Sequence, residues 1–269
     1  MGTRIVGVVN VTPDSFSDGG RFASVADAVA AGLDMVQEGA DWLDVGGEST
    51  RPGSAPVPEA EEIARVAPVI RELAARLGGQ VRLSVDTYKA ATARAALAAG
   101  ATAINDVSGG LLDPDILAVA AAGHAVLVLG HLRGQPADMQ AHVHFANVFD
   151  EVSRELGSRV AAARAAGCGE IWADPGIGFG KHLAHNLRLL KDLARLREQM
   201  GVPIMVGVSR KKFIGELTGR PAGERIFGTA AAVAVAIMNG ADAVRVHDVA
   251  AMRDVVCVTE AIAHAGEVD

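Results

Sequence analysis

Residues that can bind an anion, a cation or a flat heterocycle recur directly after short apolar segments along the chain. Asp86, Asn105 and Asp174 offer carboxylate and amide oxygens, which together suit a flat heterocycle with several N–H donors. Lys211 can pair with a carbonyl group or a ring nitrogen of the same ligand. The set of residues with this placement is Asn10, Asp44, Thr50, Arg51, Asp86, Asn105, Asp106, His131, Asp174, Lys211, Arg245 and His247.

Other members of this set are suited to an anion and to a metal ion. Arg51, Arg245 and His247 can each bind an anion, and an arginine can hold a phosphate through two parallel hydrogen bonds. Asn10 offers a neutral oxygen, which suits Mg2+ that also binds phosphate oxygens. The residue types therefore predict sites for a heterocycle and for an anionic group.

The segments that precede these residues are typical of strands buried in a parallel sheet. Each is four to six residues long and mostly aliphatic, and aromatic residues make up only 4% of the chain. Helical patterns lie between them. The predicted strands are Ile5–Val9, Trp42–Val45, Val81–Val85, Ala103–Val107, Ala125–Leu129, Glu170–Ala173, Ile204–Val208 and Ala243–Val246.

The alternation of strands and helices is a repeated unit. A helix end, a tight turn and a buried strand recur from Gly39, Gly100 and Gly240. Eight such units predict a (β/α)8 TIM barrel with its active site at the C-terminal face. An open doubly wound sheet is the alternative, but it usually carries a Gly-rich phosphate turn after the first strand, and this chain continues from Asn10 with Val-Thr-Pro-Asp. We expect one domain over residues 1–269.

Helix ends carry recognisable signals. Ser24 and Asp113 are placed to cap helices at their N-termini. Four glycines follow helical segments at positions where a left-handed residue is favoured. They are Gly100, Gly123, Gly167 and Gly240.

Composition limits the function classes. The chain has 269 residues and a net charge of −7, which argues against binding nucleic acid through a general basic field. No apolar run approaches 18 residues and no signal pattern opens the chain, so we expect no membrane association and a cytoplasmic protein. Cys168 and Cys257 stand far apart, which predicts buried free thiols in a reducing compartment.

Simpler interpretations apply to each polar residue taken alone. A single Asp or Asn at the end of a strand is more often a helix cap or a turn residue. Asp44 and Asp106 can serve only to satisfy backbone amides or neighbouring side chains under the site. The coincidence of polar groups at the ends of all eight predicted strands favours the functional interpretation.

These segments resemble the dihydropteroate synthase family, the folate-pathway enzymes that sulfonamides inhibit. The resemblance covers nearly the whole chain, with the segments in order on successive barrel units. The segments are 10–20 (NVTPDSFSDGG), 44–53 (DVGGESTRPG), 84–87 (SVDT), 104–109 (INDVSG), 174–181 (DPGIGFGK), 209–211 (SRK) and 245–248 (RVHD).

The resemblance implies a reaction that joins 4-aminobenzoate to (7,8-dihydropterin-6-yl)methyl diphosphate and releases pyrophosphate. It implies that the pterin is held by Asp86, Asn105, Asp174 and Lys211. It implies that the diphosphate is contacted by Thr50, Arg245 and His247, with Mg2+ on Asn10. Asp86, Asp174, Lys211, Arg245 and His247 are the implied catalytic residues.

The resemblance also implies a second substrate pocket and an oligomeric state. Sulfonamides would compete with 4-aminobenzoate in this pocket, and the protein would form a homodimer through barrel helices. The loops of residues 12–21 and 48–58 would close over the substrates. The pocket residues implied are Phe16, Asp18, Thr50, Arg51, Pro52, Phe179 and Lys211.

Departures from the family pattern include two residues near the predicted site. Gly130 precedes His131 where many relatives have Met, which could widen the floor of the pterin site or be compensated by Met139. Lys212 stands where many relatives have Ser. Two other functions stay open: a pterin-binding methyltransferase barrel, which needs neither the Phe16 loop nor the Arg245 anion site, and a catalytically silent paralogue.

Overall fold

The computed structural model describes residues 2–11, 24–50 and 53–266, and in these ranges eight strands alternate with helices. The strands are β1 (Arg4–Asn10), β2 (Trp42–Gly46), β3 (Arg82–Asp86), β4 (Ala103–Asp106), β5 (Val126–Gly130), β6 (Ile171–Asp174), β7 (Met205–Gly207) and β8 (Ala243–Val246). The helices are α1 (Val25–Gln37), α2 (Glu59–Leu77), α3 (Ala90–Ala98), α4 (Asp115–Ala122), α5 (Val148–Ala165), α6 (Leu183–Lys191), α7 (Leu193–Met200), α8 (Lys212–Thr218), α9 (Ile226–Met238) and α10 (Val249–Ala263). Short 3-10 helices span Met139–His142 and Ala222–Glu224.

The strands form one parallel sheet in the order β6-β5-β4-β3-β2-β1-β8-β7. Its two outer strands meet, because Ala173 pairs with Ile204 in an isolated parallel bridge and donates its N–H to the Pro203 carbonyl at 2.9 Å. The sheet is therefore closed. The predicted (β/α)8 barrel is confirmed, and the open sheet is excluded.

Alternation along the strands separates the outside of the barrel from its inside. Outward residues such as Leu43 and Val45 join the core shared with the helices. A second apolar cluster fills the inside near the start of the strands, where Trp42 and Trp172 meet edge to face at 5.9 Å. On β2, Asp44 lies two residues after Trp42 and therefore faces the same inner side of the barrel. The inner face is therefore apolar at its base and polar at the C-terminal ends of the strands.

Two predicted helix caps are present. The Ser24 side chain accepts a hydrogen bond from the Asp27 N–H at 3.3 Å and begins α1. Asp113 serves two helices, since its Oδ2 accepts the Ala90 N–H of α3 at 2.7 Å and its Oδ1 accepts the Asp115 N–H of α4 at 3.2 Å. The carboxylate therefore ties the N-termini of neighbouring helices together.

One predicted helix-end glycine has another role. Gly123 has a negative φ, and the next residue, His124, takes the left-handed conformation at φ 49°. A Cβ at Gly123 would lie 2.6 Å from Leu97 Cδ1, so glycine lets α4 pack closely on α3 without moving that side chain. The other three have the expected positive φ: Gly100, Gly167 and Gly240.

Two expectations from composition can be compared with the structure. Across the described residues, no helix combines the length and apolarity that crossing a membrane requires. Both cysteines are free thiols. Cys168 is buried as expected, but Cys257 is exposed because it lies on the outer face of α10, so that part of the prediction was wrong.

Candidate functional site

An arginine and two aspartates form the centre of the polar end of the barrel. Arg245 of β8 donates from Nε to Asp44 Oδ2 at 2.6 Å and from Nη2 to Asp86 Oδ2 at 2.7 Å. These bonds use two of the five guanidinium N–H groups, so Arg245 retains donors for an anion. Asp44 also accepts bonds from Ser84 Oγ and from Asn105 Nδ2. Asp44 therefore accepts hydrogen bonds from three neighbouring side chains, as expected for a residue beneath the site.

Burial changes the ionisation of this centre. Desolvation raises the pKa of Asp86 to about 7; Arg245 opposes the shift and the nearby Asp44 carboxylate adds to it. Burial by itself would lower the pKa of Arg245, but Asp44 and Asp86 outweigh it and hold that pKa above its ordinary range. Arg245 is therefore a permanent cation, whereas Asp86 can change charge near neutral pH.

Asn105 and Asp174 present acceptors to the same space. Because Asn105 Nδ2 donates to Asp44 Oδ2 at 2.8 Å, its side-chain oxygen is the atom that can accept a ligand N–H. Asp174 Oδ1 accepts the Gly176 N–H at 2.7 Å, and burial raises the pKa of this carboxyl group. The inward alternation of β3, β4 and β6 thus brings together three of the residues predicted for a heterocycle.

Lys211 and Phe179 meet at one side of this space. The Lys211 ammonium lies 4.0 Å from the centre of the Phe179 ring, a cation–π distance. Burial lowers the pKa of Lys211 to about 8, although Asp174 and Asp86 oppose the shift. Lys212, by contrast, is exposed and pairs with Glu216 at 3.4 Å, so its side chain points away from the site.

His247 lies beside Arg245 at the end of β8. Burial first, then Arg245 and Arg210, lower the pKa of His247 to about 3, so the imidazole is neutral. Ser209 Oγ accepts the His247 N–H at 3.2 Å and lies 3.0 Å from Nδ1. The serine hydroxyl hydrogen can therefore go to Nδ1, which leaves the ring hydrogen on Nε2. His247 can then bind an anion as a neutral donor rather than as the cation its residue type suggested.

Asn10 is the residue predicted to bind a metal ion. A Cβ on Gly46 would lie 3.8 Å from Asn10 Oδ1 and 3.6 Å from Asp86 Oδ2, so these oxygens border one small space. No group of three or more His, Cys, Asp or Glu residues suited to a metal occurs within residues 2–11, 24–50 and 53–266. Mg2+ commonly keeps several waters and takes one or two protein oxygens plus substrate phosphates. The residues present fit Mg2+ in that shared form.

The loop residues predicted for the second substrate are only partly described. Phe16, Asp18, Arg51 and Pro52 lie outside the described residues. Thr50 follows β2 and is half-buried.

A buried ion cluster, which the sequence did not reveal, fixes the base of the loop after β2. Lys89 Nζ contacts Glu48 Oε2 at 2.5 Å, Glu62 Oε2 at 2.6 Å and the Val57 carbonyl at 2.7 Å. Glu48 also accepts bonds from Tyr88 Oη and the Val57 N–H, each at 2.8 Å. Burial lowers the pKa of Lys89, but both glutamates outweigh it and raise that pKa. The two ends of loop 48–58 are thereby joined to the end of β3.

A second such cluster lies at the end of β5. His131 is fully buried, and its Nε2 lies 3.0 Å from Glu155 Oε2. Its Nδ1 lies 2.9 Å from Lys181 Nζ, which also donates to the Gly176 carbonyl at 3.0 Å. Burial lowers the pKa of His131 to about 3 and that of Lys181 to about 7. His131 therefore supports the segment after β6.

The space expected at Gly130 is occupied by backbone. A Cβ at Gly130 would lie 2.6 Å from the Val107 carbonyl oxygen and 2.7 Å from Val107 Cα. Met139 is fully buried and packs with Val107 and Leu132. The glycine therefore permits a close approach of the chain after β4 and does not widen the site.

Comparison with known proteins adds an independent line of argument. The family model described as "Pterin binding enzyme" matches residues 6–247. The dihydropteroate synthase of Synechocystis is 44% identical over 263 residues, which cover 97% of this chain and 90% of the relative.

Solved structures are similar over the same range. Yersinia pestis dihydropteroate synthase, in complex with a sulfonamide drug, has a TM-score of 0.93 at 41% identity, covering 98% of this chain and 95% of the other. Xanthomonas albilineans dihydropteroate synthase with 4-aminobenzoic acid has a TM-score of 0.90 at 48% identity, covering 98% and 94%.

Proposed function

The chain belongs to the dihydropteroate synthases, a family of pterin-binding enzymes, and on that premise we propose how its residues perform the reaction. The enzyme transfers an alkyl group other than methyl in folate biosynthesis. The substrates we propose are (7,8-dihydropterin-6-yl)methyl diphosphate and 4-aminobenzoate, and the products are 7,8-dihydropteroate and pyrophosphate. The observation that carries the proposal is the Asp44–Arg245–Asp86 centre, which sets a carboxylate for the pterin beside a cation for the diphosphate.

Pterin recognition falls to acceptors on three strands. Asp86, Asn105 and Asp174 accept the N–H groups of the pterin ring, and Lys211 donates to its carbonyl oxygen or a ring nitrogen. Positive charge that develops on the pterin as the C–O bond breaks is stabilised by Asp86 and Asp174. Both carboxyl groups have pKa values raised by burial, so a ligand that brings positive character favours their ionised forms.

Departure of the diphosphate is assisted from β8 and loop 48–58. Arg245 and neutral His247 donate hydrogen bonds to the leaving group, and Thr50 adds a hydroxyl. We propose that Asn10 holds Mg2+ together with the diphosphate; when bound, the metal ion neutralises charge on the leaving group.

Bond formation needs no strong base. Cleavage of the C–O bond releases diphosphate and leaves a pterin-stabilised cation. The aniline nitrogen of 4-aminobenzoate is neutral at pH 7, so its lone pair then attacks the exocyclic carbon of that cation. The nitrogen then loses one proton to solvent. Ordered loops would exclude water, which otherwise captures the pterin cation.

We propose that the second substrate pocket is built beside Phe179. Lys211 attracts the aminobenzoate from its place over the Phe179 ring. We propose that Phe16, Asp18, Thr50, Arg51 and Pro52 complete this pocket. Sulfonamides would occupy it and compete with 4-aminobenzoate.

One assay tests the proposed function. Purified protein is mixed with the pterin diphosphate, radiolabelled 4-aminobenzoate and Mg2+, and labelled pteroate and pyrophosphate are measured in equal amounts. Arg245→Ala is the matched inactive control, checked for native circular dichroism. A folded wild-type protein that forms no labelled product contradicts the assignment, as does full turnover by the control.

We also propose a homodimer through α9 and α10. The sequence of α9 contains no charged residue, and its Phe227 and Met238 are 86% and 56% exposed. On α10, Val258 and Ile262 are 59% and 65% exposed. A second copy would cover this face, and Phe227→Glu should convert a dimer to a monomer in sedimentation velocity.

Free cysteines support our proposal of a cytoplasmic location.

A further inference from the structure

The turn between β7 and α8 contains a residue in an unfavourable backbone conformation. Arg210 has φ 58°, in the left-handed region that residues with a side chain rarely adopt. Such a conformation persists only where surrounding contacts enforce it, and it is common in segments that orient functional groups. Its neighbours in the chain are Ser209 and Lys211, both of which contact groups of the site.

Contacts from three residues hold Arg210 in this conformation. Its N–H donates to Thr229 Oγ1 of α9 at 3.1 Å, and Thr229 is fully buried. Its carbonyl accepts from Arg225 Nη1 at 2.9 Å. Its guanidinium forms a two-pronged ion pair with Asp248, in which Nε lies 3.0 Å from Oδ2 and Nη2 contacts Oδ1. The backbone and the side chain are therefore both fixed.

The ion pair joins the two halves of the site. Asp248 directly follows His247 at the end of β8, and Arg210 directly precedes Lys211 after β7. Ser209 makes a parallel connection, since its Oγ bonds the backbone N–H and lies 3.0 Å from Nδ1 of His247. A change of Arg210 to an ordinary negative φ would redirect the chain on both sides. Lys211 would leave the Phe179 ring, and Ser209 would leave His247.

We infer that Arg210 and Asp248 are positioning residues, which together set Lys211 and His247 in register with one another across the pterin and diphosphate halves of the site. This inference rests on the proposed function. Neither residue needs to touch a substrate. Arg210 acts by holding the turn, and Asp248 acts by holding Arg210.

The test compares Arg210→Gly with Asp248→Asn. Glycine adopts φ 58° without strain, so Arg210→Gly removes the ion pair while the turn stays sterically allowed. Asp248→Asn keeps the size of the side chain and removes its charge. Arg220→Ala is the matched control, because Arg220 lies in the following loop and forms an exposed ion pair with Glu224 at 3.0 Å.

We expect kcat/KM for the pterin diphosphate to fall on the order of 100-fold in both variants, since misplacing catalytic groups by about 1 Å has this effect. KM for 4-aminobenzoate should change less, and Arg210→Gly should keep its melting temperature. Arg210→Lys should recover part of the loss. Because the pair acts as a unit, the double variant should lose no more than the worse single variant. Wild-type kcat/KM in both single variants, or losses that multiply in the double variant, would overturn the inference.

A second readout is independent of turnover. Long-range 1H–15N NMR of the imidazole reports whether the His247 hydrogen resides on Nε2. We expect that tautomer in the wild type and a mixture of tautomers in Arg210→Gly and Asp248→Asn. If the wild type makes no pteroate but the His247 tautomer changes in both variants, the proposed function is refuted and the positioning role is supported. Unchanged spectra would refute the positioning role itself.

Discussion

Arg245 donates from Nε to Asp44 Oδ2 at 2.6 Å, so a residue proposed to bind the leaving group is oriented by one that lies beneath the site. The same Asp44 oxygen accepts Asn105 Nδ2 at 2.8 Å and thereby fixes which end of that amide faces the ligand. One buried carboxylate therefore orients both the donor proposed for the diphosphate and the acceptor proposed for the pterin. Functional side chains keep a productive geometry only where such supporting hydrogen bonds hold them.

Asp44→Asn tests this arrangement. Asparagine keeps the size of the side chain and one oxygen for Asn105 and Arg245, but it removes the negative charge that pairs with Arg245 and turns an N–H donor towards Ser84 Oγ. We expect kcat/KM for the pterin diphosphate to fall roughly 10- to 100-fold, equivalent to about 1.4–2.7 kcal/mol. Steady-state kinetics with a check of folding measure this, and Asp254→Asn on the exposed face of α10 is the control. Undiminished kcat/KM in Asp44→Asn would mean that the aspartate only fills space.

The pH dependence of kcat/KM should be bell-shaped. Asp86, whose pKa is raised to about 7 by burial against the opposing effect of Arg245, must be ionised to accept pterin N–H groups. Lys211, whose pKa is lowered to about 8 by burial despite Asp174, must be protonated to donate. Activity therefore rises with pH through about 7 and falls above about 8.

Lys211→Arg separates the two limbs of this profile. A guanidinium stays charged, so the alkaline limb should move to higher pH while the acid limb keeps its position. The measurement is kcat/KM for the pterin diphosphate from pH 5.5 to about 9.5, within the range where such groups titrate. A wild-type profile without either limb would contradict these ionisations.

The fold was predictable because its signals are local. Short aliphatic segments marked all eight strands, and most boundaries shifted by a single residue. β7 is shorter by one residue at each end, because Ile204 forms only an isolated bridge to Ala173 and Val208 lies in the turn that follows. The polar end of the barrel was also partly predictable, since alternation turns the last or the last-but-one residue of a strand inward, as at Asp86, Asn105 and Arg245.

The supporting contacts could not be predicted, because they join residues far apart in the chain. Lys89 meets Glu48 across 41 positions, and Lys181 meets His131 across 50. A lysine in a polar segment gives no sign that it becomes buried. The role of Gly130 depends on where the chain after β4 passes, which only the closed barrel determines.

Lys181 should make stability depend on pH in a defined window. Burial lowers its pKa from 10.5 to about 7, with Arg159 and Lys211 adding to the shift and Asp174 opposing it. Between these values the unfolded chain binds a proton that the native state does not. Stability therefore rises with pH across this window, by at most about 1.4 kcal/mol per pH unit, and the contribution is constant below it.

Lys181→Met should flatten that dependence. Urea unfolding at several pH values between 7 and 10.5 would give a smaller slope for this variant than for the wild type. Lys191→Met, at an exposed lysine of α6, is the control and should keep the wild-type slope. Parallel curves for wild type and Lys181→Met would show that Lys181 stays protonated in the native state.

Gly130→Ala should destabilise the barrel. The added methyl group would lie 2.6 Å from the Val107 carbonyl oxygen, so β5 or the chain after β4 must move. Overpacking of this kind costs about 1–3 kcal/mol. Gly169→Ala is the control, since its Cβ would meet no atom within 4 Å. Equal unfolding free energies for the two variants would argue that the backbone at Gly130 moves freely.

Lys89→Met tests the buried cluster at the base of loop 48–58. The substitution removes the cation that lies 2.5 Å from Glu48 and 2.6 Å from Glu62 and leaves two buried carboxylates facing each other. Breaking a buried ion pair in this way costs about 3–5 kcal/mol, and here the repulsion also releases the loop that carries Thr50. We therefore expect KM for 4-aminobenzoate to rise more than KM for the pterin diphosphate at a temperature where the variant stays folded.

Glu48→Gln is the gentler companion to Lys89→Met. It keeps a hydrogen-bond acceptor for Tyr88 and removes one of two negative charges. The fold should therefore survive, while the loop loses its ion pair between Glu48 and Lys89. Lys212→Met, at an exposed ion pair of 3.4 Å to Glu216, is the control and should change stability by less than about 1 kcal/mol. Equal rises in both KM values for Glu48→Gln would show that the cluster stabilises the barrel as a whole. A selective rise for 4-aminobenzoate would assign it to the second substrate's loop.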